Sequence, residues 1–179
     1  PYIRFGAENY NIDDFKNVFR QLTGNSIAKH SENFNSGDIE GDMWENEQFR
    51  EFLKIKYGRD CWPEIQEKIK KIVIYSLESA KHKLFNRKNN FENFGFDIML
   101  DDKLNVYLIE INASPDWTYS TKVTEKLVKI ASEDIMKVVL DIPNENLKPP
   151  EERKTIDTGR FKQIFCSANF PTFEGLINQ

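Results

Sequence analysis

Apolar residues recur along this chain with two periods. Ile65, Ile69, Ile72, Val73, Ser76, Leu77, Ala80 and Leu84 keep the three- and four-residue spacing of one helical face. Trp62-Pro63 opens that stretch, and a proline suits the first turn, where its missing N–H would have no partner. Val123, Leu127, Ile130, Ala131, Ile135, Val138 and Val139 repeat the pattern up to about Leu140. Ser120 or Thr121 stands in the capping position of this second helix, and Glu125 falls in its first turn. A shorter helix is predicted from Asp42-Met43-Trp44 to about Lys56, with Trp44, Phe49, Phe52, Leu53 and Ile55 as its apolar members and Gly58 to end it. Upstream, Ile12, Phe15, Val18 and Phe19 suit a short amphipathic helix or a packed loop, and Tyr2-Ile3-Arg4-Phe5 suits a short strand.

Between the two long helices the period changes. Phe94–Leu100 and Val106–Ile111 read as two strands joined by a turn at Asp101-Asp102-Lys103. Three polar residues interrupt them: Asp97, Glu110 and Asn112. Glu110 and Asn112 are two apart and so share a face of their strand. A two-residue loop at Asp102-Lys103, or a four-residue loop at Asp101–Leu104, pairs Asp97 with Leu108 and brings Asp97 to that same face. Glu110 is then its diagonal neighbour, roughly 7–8 Å away between backbones. Phe96, Ile98 and Leu100 meet Ile109, Tyr107 and Asn105 on the other face. A three-residue loop would undo this, because a one-residue slip turns every side chain over.

Two carboxylates and an amide oxygen on one face repel unless a positive charge lies between them, and buried charge is paired or metal-bound. Neither strand contains Lys or Arg, and no His or Cys is near. Hard oxygen donors favour Mg²⁺, which commonly combines one or two carboxylates with the phosphates of a nucleotide. The plainer alternative is a strand pair with acids at its solvated ends, which suits Asn112 as well as the metal does and suits Glu110, between two isoleucines, less well. A third alternative is a nucleotide-independent binding module whose acids pair with a partner's Lys or Arg.

Composition narrows the class. With 179 residues the chain is long enough for one compact domain and too short for two. Hydrophobic residues at 39% and aromatics at 13% exclude a disordered chain. A net charge of -4 argues against nucleic acid as a partner. No apolar run is long enough for a membrane helix. Cys61 and Cys166 have no metal-binding spacing and read as reduced thiols. The start at Pro1 without a Met suggests a piece of a longer protein. Residues 142–158 form a Pro- and charge-rich connector, Gly159–Phe165 a final strand, and 166–179 a tail without pattern.

The GFD of Gly95–Asp97, followed thirteen residues after its Asp by the Glu of Ile109-Glu110-Ile111-Asn112-Ala113-Ser114-Pro115, resembles the second half of the ATP-grasp core in the tubulin tyrosine ligase-like family. The resemblance runs from Tyr2 to about Phe165. It implies an α/β (α+β) fold, an antiparallel sheet covered by helices, with residues 1–141 as the C-terminal half of the ligase domain, 142–158 as connector and 159–179 as C-terminal strand and tail. It implies ATP and Mg²⁺ as cofactors, with Asp97, Glu110 and Asn112 as metal ligands and Ile109 beside the adenine. Arg4 would contact the terminal phosphates and stabilise the acyl-phosphate, a task that suits a planar guanidinium.

Thr23, nineteen residues after Arg4, would line the nucleotide site. The Asn that the family places next is here Gly24, a departure that removes one amide contact. Tyr2–Phe5, Asn25–His30, Asp42-Met43-Trp44, Ile111–Thr124 and Asp157–Phe165 are similar to the glycine-ligating branch in particular. That branch joins glycine to glutamate γ-carboxylates of tubulin tails, so the implied partners are tubulin and microtubules, with glycine as co-substrate and neither nucleic acid nor membrane. The implied location is cytoplasm and cytoskeleton, at the cilium or axoneme. Lys68, Lys70, Lys71, Lys81 and Lys83, extended by His82, Arg87 and Lys88, form a solvated helix face or, on this resemblance, a surface for acidic tails. The family's upstream lysines and adenine-hinge strand have no counterpart here, so the segment alone is expected to be inactive. An inert, structural microtubule- or axoneme-associated protein is the alternative.

Overall fold

The computed structural model describes residues 1–34, 42–84 and 90–166. It has an α+β architecture of helices and two small antiparallel sheets, two strands each, where the sequence implied one sheet. The chain divides into two compact units: Pro1–Trp62 with Trp117–Lys129, and Pro63–Asp116 with Ile130–Gln179.

In the first unit β1 (Tyr2–Arg4) pairs with β2 (Met43–Glu45), Ile3 opposite Trp44. Residues 42–44 therefore do not start a helix as predicted. Met43 is pulled into the ladder, and its side chain is among the most buried of the unit. The helix begins one turn later, α3 at Asn46–Tyr57, in the numbering where α1 is Val18–Gln21 and α2 is Asn25–Ala28. A capping box starts α3: Glu45 accepts from the backbone of the third helical residue, and Gln48 Oε1 accepts from the Glu45 backbone N–H at 2.9 Å. Gly58 ends it in the left-handed conformation (φ 69°), as predicted. Phe49 and Leu53 are buried, and an edge-to-face series Phe5–Trp44 and Phe49–Trp62 surrounds them. Ile12, Phe15 and Val18 make no buried stripe: Phe15 is 76% exposed, and only α1, four residues long, is helical in that stretch.

The second unit holds α4 (Trp62–Ala80, from Pro63 on), the hairpin β3 (Gly95–Leu100) and β4 (Val106–Asn112), and the end of α5 (Lys122–Met136). Asp60 caps α4 by accepting the Trp62 N–H at 3.1 Å, a bond within the first unit. Thr121 caps α5 there as well, exchanging bonds with Thr124: its Oγ1 accepts the Thr124 N–H at 3.1 Å, and its own N–H donates to Thr124 Oγ1 at 2.9 Å. Beyond α5 the chain winds through a π-helical stretch, Lys137–Asp141, into α6 (Ile142–Asn146). The predicted connector thus contains helical turns, Pro150–Glu152 among them. The predicted strand over 159–165 is absent: those residues have no ladder partner, and Gly159-Arg160 turns instead.

Candidate metal and nucleotide site

The hairpin carries the metal set, and its register differs from the predicted one. Leu100 pairs with Val106, so the loop is five residues, Asp101–Asn105. Asp101 organises it. Its carboxylate accepts the backbone N–H of Lys103 (2.9 Å) and Asn105 (2.7 Å), the Asn105 amide (2.8 Å) and the Tyr107 hydroxyl (3.2 Å). These bonds, led by Asn105, hold the Asp101 carboxyl below its ordinary value. Leu104 sits at φ +60° with its side chain buried, and its carbonyl accepts from Lys68 of α4 at 2.9 Å. The pull of one apolar side chain into the core, together with that ion-anchored carbonyl, explains a loop longer than the turn residues alone suggested.

A five-residue loop is odd, like the three-residue one, and by itself turns Asp97 to the wrong face. The register then shifts between Asp97 and Ile98: Ile98 pairs with Leu108, whereas Asp97 pairs with Glu110 and Gly95 with Asn112. Ile109 is left without a partner, an extra residue in the ladder, and the bulge turns the second half of β4 over. Asp97 and Glu110 consequently face each other directly instead of diagonally, and Asp97 does not pair with Leu108. On the opposite face Phe96, Ile98 and Leu100 meet Ile111, Leu108 and Val106, a correction of the predicted Ile109, Tyr107 and Asn105.

Directly opposed like charges destabilise an antiparallel pair, and their Cβ atoms lie roughly 4.5–5.5 Å apart. Asn112 lies on the same face and donates its amide to Glu110 Oε1 at 3.2 Å. Two exposed carboxylates at that spacing, beside an amide, suit a hard divalent cation. No group of three or more His, Cys, Asp or Glu that could hold a metal occurs among the described residues. The amide and a co-ligand would have to complete the shell, as phosphate does for Mg²⁺. Ile109, on the bulge, is 57% exposed.

Arg4 and Thr23 lie in the first unit and are described there. Arg4 is exposed on β1, its guanidinium 5.3 Å from the centre of the Tyr2 ring and bonded to the Tyr2 hydroxyl at 3.1 Å. Thr23 is exposed just before α2. Gly24 is the cap of that helix, its carbonyl accepting from Ala28 at 2.9 Å. A Cβ there would meet only Ser26 Oγ, at 3.8 Å, so the departure from Asn is not imposed by space. The lysine face of α4 is largely tied up in its own helix, Lys68 with Glu64 and Lys70 with Glu67. Arg87 and Lys88 lie outside the described residues.

Sequence reasoning missed one charged residue, Asp134. It is 4% exposed in the apolar stripe of α5. It pairs with Lys137 at 2.9 Å and accepts the Arg160 backbone N–H at 2.9 Å. Lys137, then Arg160, hold its carboxyl below the usual range. Its place four residues after Ile130, on the stripe, was the readable signal.

The sequence model of the "Tubulin-tyrosine ligase family" matches residues 1–148. The chain belongs to that family. Tubulin glycylase 3C of Tetrahymena thermophila is 43% identical over 167 residues, which is 92% of this chain and 16% of that protein. Tubulin monoglycylase TTLL3 of Danio rerio is 33% identical over 98% of this chain and 22% of its own length. A "Probable alpha-tubulin polyglutamylase Ttll1" of Tetrahymena thermophila is 32% identical over 76% of this chain and 33% of its own. The chain therefore spans well under half the length of these relatives.

Proposed function

We propose that this chain is part of an ATP-dependent tubulin ligase that adds glycine to glutamate side chains of tubulin C-terminal tails. The observation that carries the reading is the direct opposition of Asp97 and Glu110, with Asn112 beside them, on the exposed face of a bulged hairpin. The glycylase names of the relatives sharing 92% and 98% of this chain support glycine over another amino acid. The tubulin in those names favours the cytoskeleton as the site of action. No helix of the described residues is long and apolar enough to cross a membrane.

Mg²⁺-ATP, when bound, supplies the phosphoryl group that activates the acceptor carboxylate. The acceptor glutamate's γ-carboxylate oxygen bonds to the γ-phosphorus as ADP leaves, and the glycine amine then attacks the acyl carbon, loses a proton and expels phosphate. The work of this chain is binding and charge. In the second unit Asp97, Glu110 and Asn112 would hold the cation and Ile109 would line the nucleotide; in the first unit Arg4 is the guanidinium suited to phosphoryl and acyl-phosphate oxygens, and Thr23 the residue that the family resemblance assigns to the nucleotide.

Calorimetric titration of the intact protein with Mg²⁺-ATP, beside Glu110→Gln, tests the reading. The expected result is measurable binding that Glu110→Gln weakens at least about tenfold, roughly the 1.4 kcal/mol of one charge-assisted contact. Equal affinity of the two proteins would remove Glu110 from the metal site. No binding to the unsubstituted protein would favour the inert, microtubule-associated reading.

A further inference from the structure

Away from the hairpin, the second unit has a pocket of about 380 Å³ between α6 and the segment 153–156, lined by Ile142, Asn146, Arg153, Lys154, Thr155 and Ile156. That volume lies within the usual range for small-ligand sites, about 300–1,000 Å³. Its lining carries two cations and no acid, in a chain whose net charge is -4.

The segment is fastened at both ends. At one end Arg153 donates from Nε to the Lys148 carbonyl and from Nη2 to the Asn146 carbonyl, both at 3.0 Å, which fixes the plane of its guanidinium. A guanidinium has five N–H donors, and these two bonds use two of them. At the other end Lys137 bridges Asp134 (2.9 Å) and Asp157 (3.4 Å). Asp157 accepts the Gly159 N–H at 2.8 Å, and Asp134 accepts that of Arg160. A guanidinium held in one orientation loses little freedom when it meets a carboxylate, which is where the affinity of a preorganised site comes from.

We propose that this pocket is a subsite for a glutamate side chain of an extended acidic peptide, built from none of the residues of the metal site. The carboxylate meets Arg153 and Lys154, and the methylene stem lies against Ile142 and Ile156. A bare phosphate would use the cations and neither isoleucine. The proposal rests on the reading above, in which the acceptor is a glutamate-rich tail, and adds a second point of attachment for that tail.

The test is fluorescence anisotropy of a labelled oligoglutamate peptide with the intact protein and with Lys154→Glu, alongside Mg²⁺-ATP calorimetry on the same samples. Lys154→Glu should raise the peptide Kd about tenfold and leave Mg²⁺-ATP affinity unchanged. The wild-type affinity should fall as salt is added. Lys154→Gln, which introduces no repulsion, should raise the Kd about threefold and serves as the readout if the reversal disturbs folding. Unchanged peptide affinity in both variants overturns the proposal, as does displacement of the peptide by inorganic phosphate at equal concentration. A failed peptide arm with intact nucleotide binding sinks the pocket alone. Absent nucleotide binding in the unsubstituted protein sinks the ligase reading.

Discussion

Leu104 gives the sharpest test of how the hairpin is held. It is 6% exposed and stands at φ +60°, a region a bulky residue enters at a cost of about 1–2 kcal/mol. Truncation to Ala removes a buried side chain and keeps the backbone strain, so the loss should be about 2–5 kcal/mol, the range for buried Leu→Ala. Truncation to Gly removes the same side chain and relieves the strain. In an ordinary helix or strand Gly is worse than Ala by roughly 0.5–1 kcal/mol. Here Leu104→Gly should be more stable than Leu104→Ala by about 1 kcal/mol. Urea unfolding followed by circular dichroism gives the order, and hydrogen exchange over residues 101–107 localises it. If the glycine variant is the less stable of the two, the left-handed backbone at Leu104 is refuted, and with it the five-residue loop.

The same reasoning extends to other positions. Gly159 has φ +60°, and a Cβ built on it would overlap the Asp134 carboxylate. Gly159→Ala should therefore cost at least about 1–2 kcal/mol in the same urea assay and speed exchange of the Arg160 N–H. Asp101 and Asp134 both have carboxyls held below their ordinary 3.8, by Asn105 and Lys137 respectively. A depressed folded-state pKa means stability that is complete above the unfolded value and is lost as pH falls through the folded one. Protection of the 101–105 loop and of the Arg160 N–H should thus be flat from neutral pH down to about 4–5 and fall only below pH 3.8. A decline already at pH 6 would contradict the assignment.

The long helices were legible because a single face of each repeats its apolar residues, and Gly58 because a helix end needs a left-handed residue. The element at 43–45 was not. Met43, Trp44 and Glu45 carry no pattern that separates the last residues of a strand from the first turn of a helix, and what decides is a partner forty residues away at Tyr2–Arg4. Non-local pairing leaves no local trace. The strand expected at 159–165 failed for the converse reason. Phe161, Ile164 and Phe165 suit a strand, but a left-handed Gly159 and the bond from the Arg160 N–H to Asp134 fold the chain against α5 instead. Phe15 shows the limit of periodicity: helical spacing in a stretch with only four helical residues produced an exposed ring.

That Asp97, Glu110 and Asn112 share a face was read from a register that does not exist. An even loop was assumed; the loop has five residues, and the slip it causes would have carried Glu110 and Asn112 to the face of Phe96 and Ile98, away from Asp97. The bulge at Ile109 cancels that slip. Neither feature makes sense alone: the loop is lengthened by the demand to bury Leu104, and the bulge restores the acids to the exposed face. A ladder hydrogen bond and a paired isoleucine are given up to keep two like charges opposite each other, an arrangement that costs stability unless a cation shares them. Deleting Ile109 tests whether the bulge or the opposition of the acids makes the site. Every remaining residue then pairs, Ile98 with Leu108 and Asp97 still with Glu110, so the hairpin should become regular and the acids should stay opposed. The Mg²⁺-ATP heat in calorimetry should therefore persist, weakened only by the lost Ile109 contact. Its disappearance, with the hairpin intact by hydrogen exchange, would show that opposing the two acids is not enough to hold the cation.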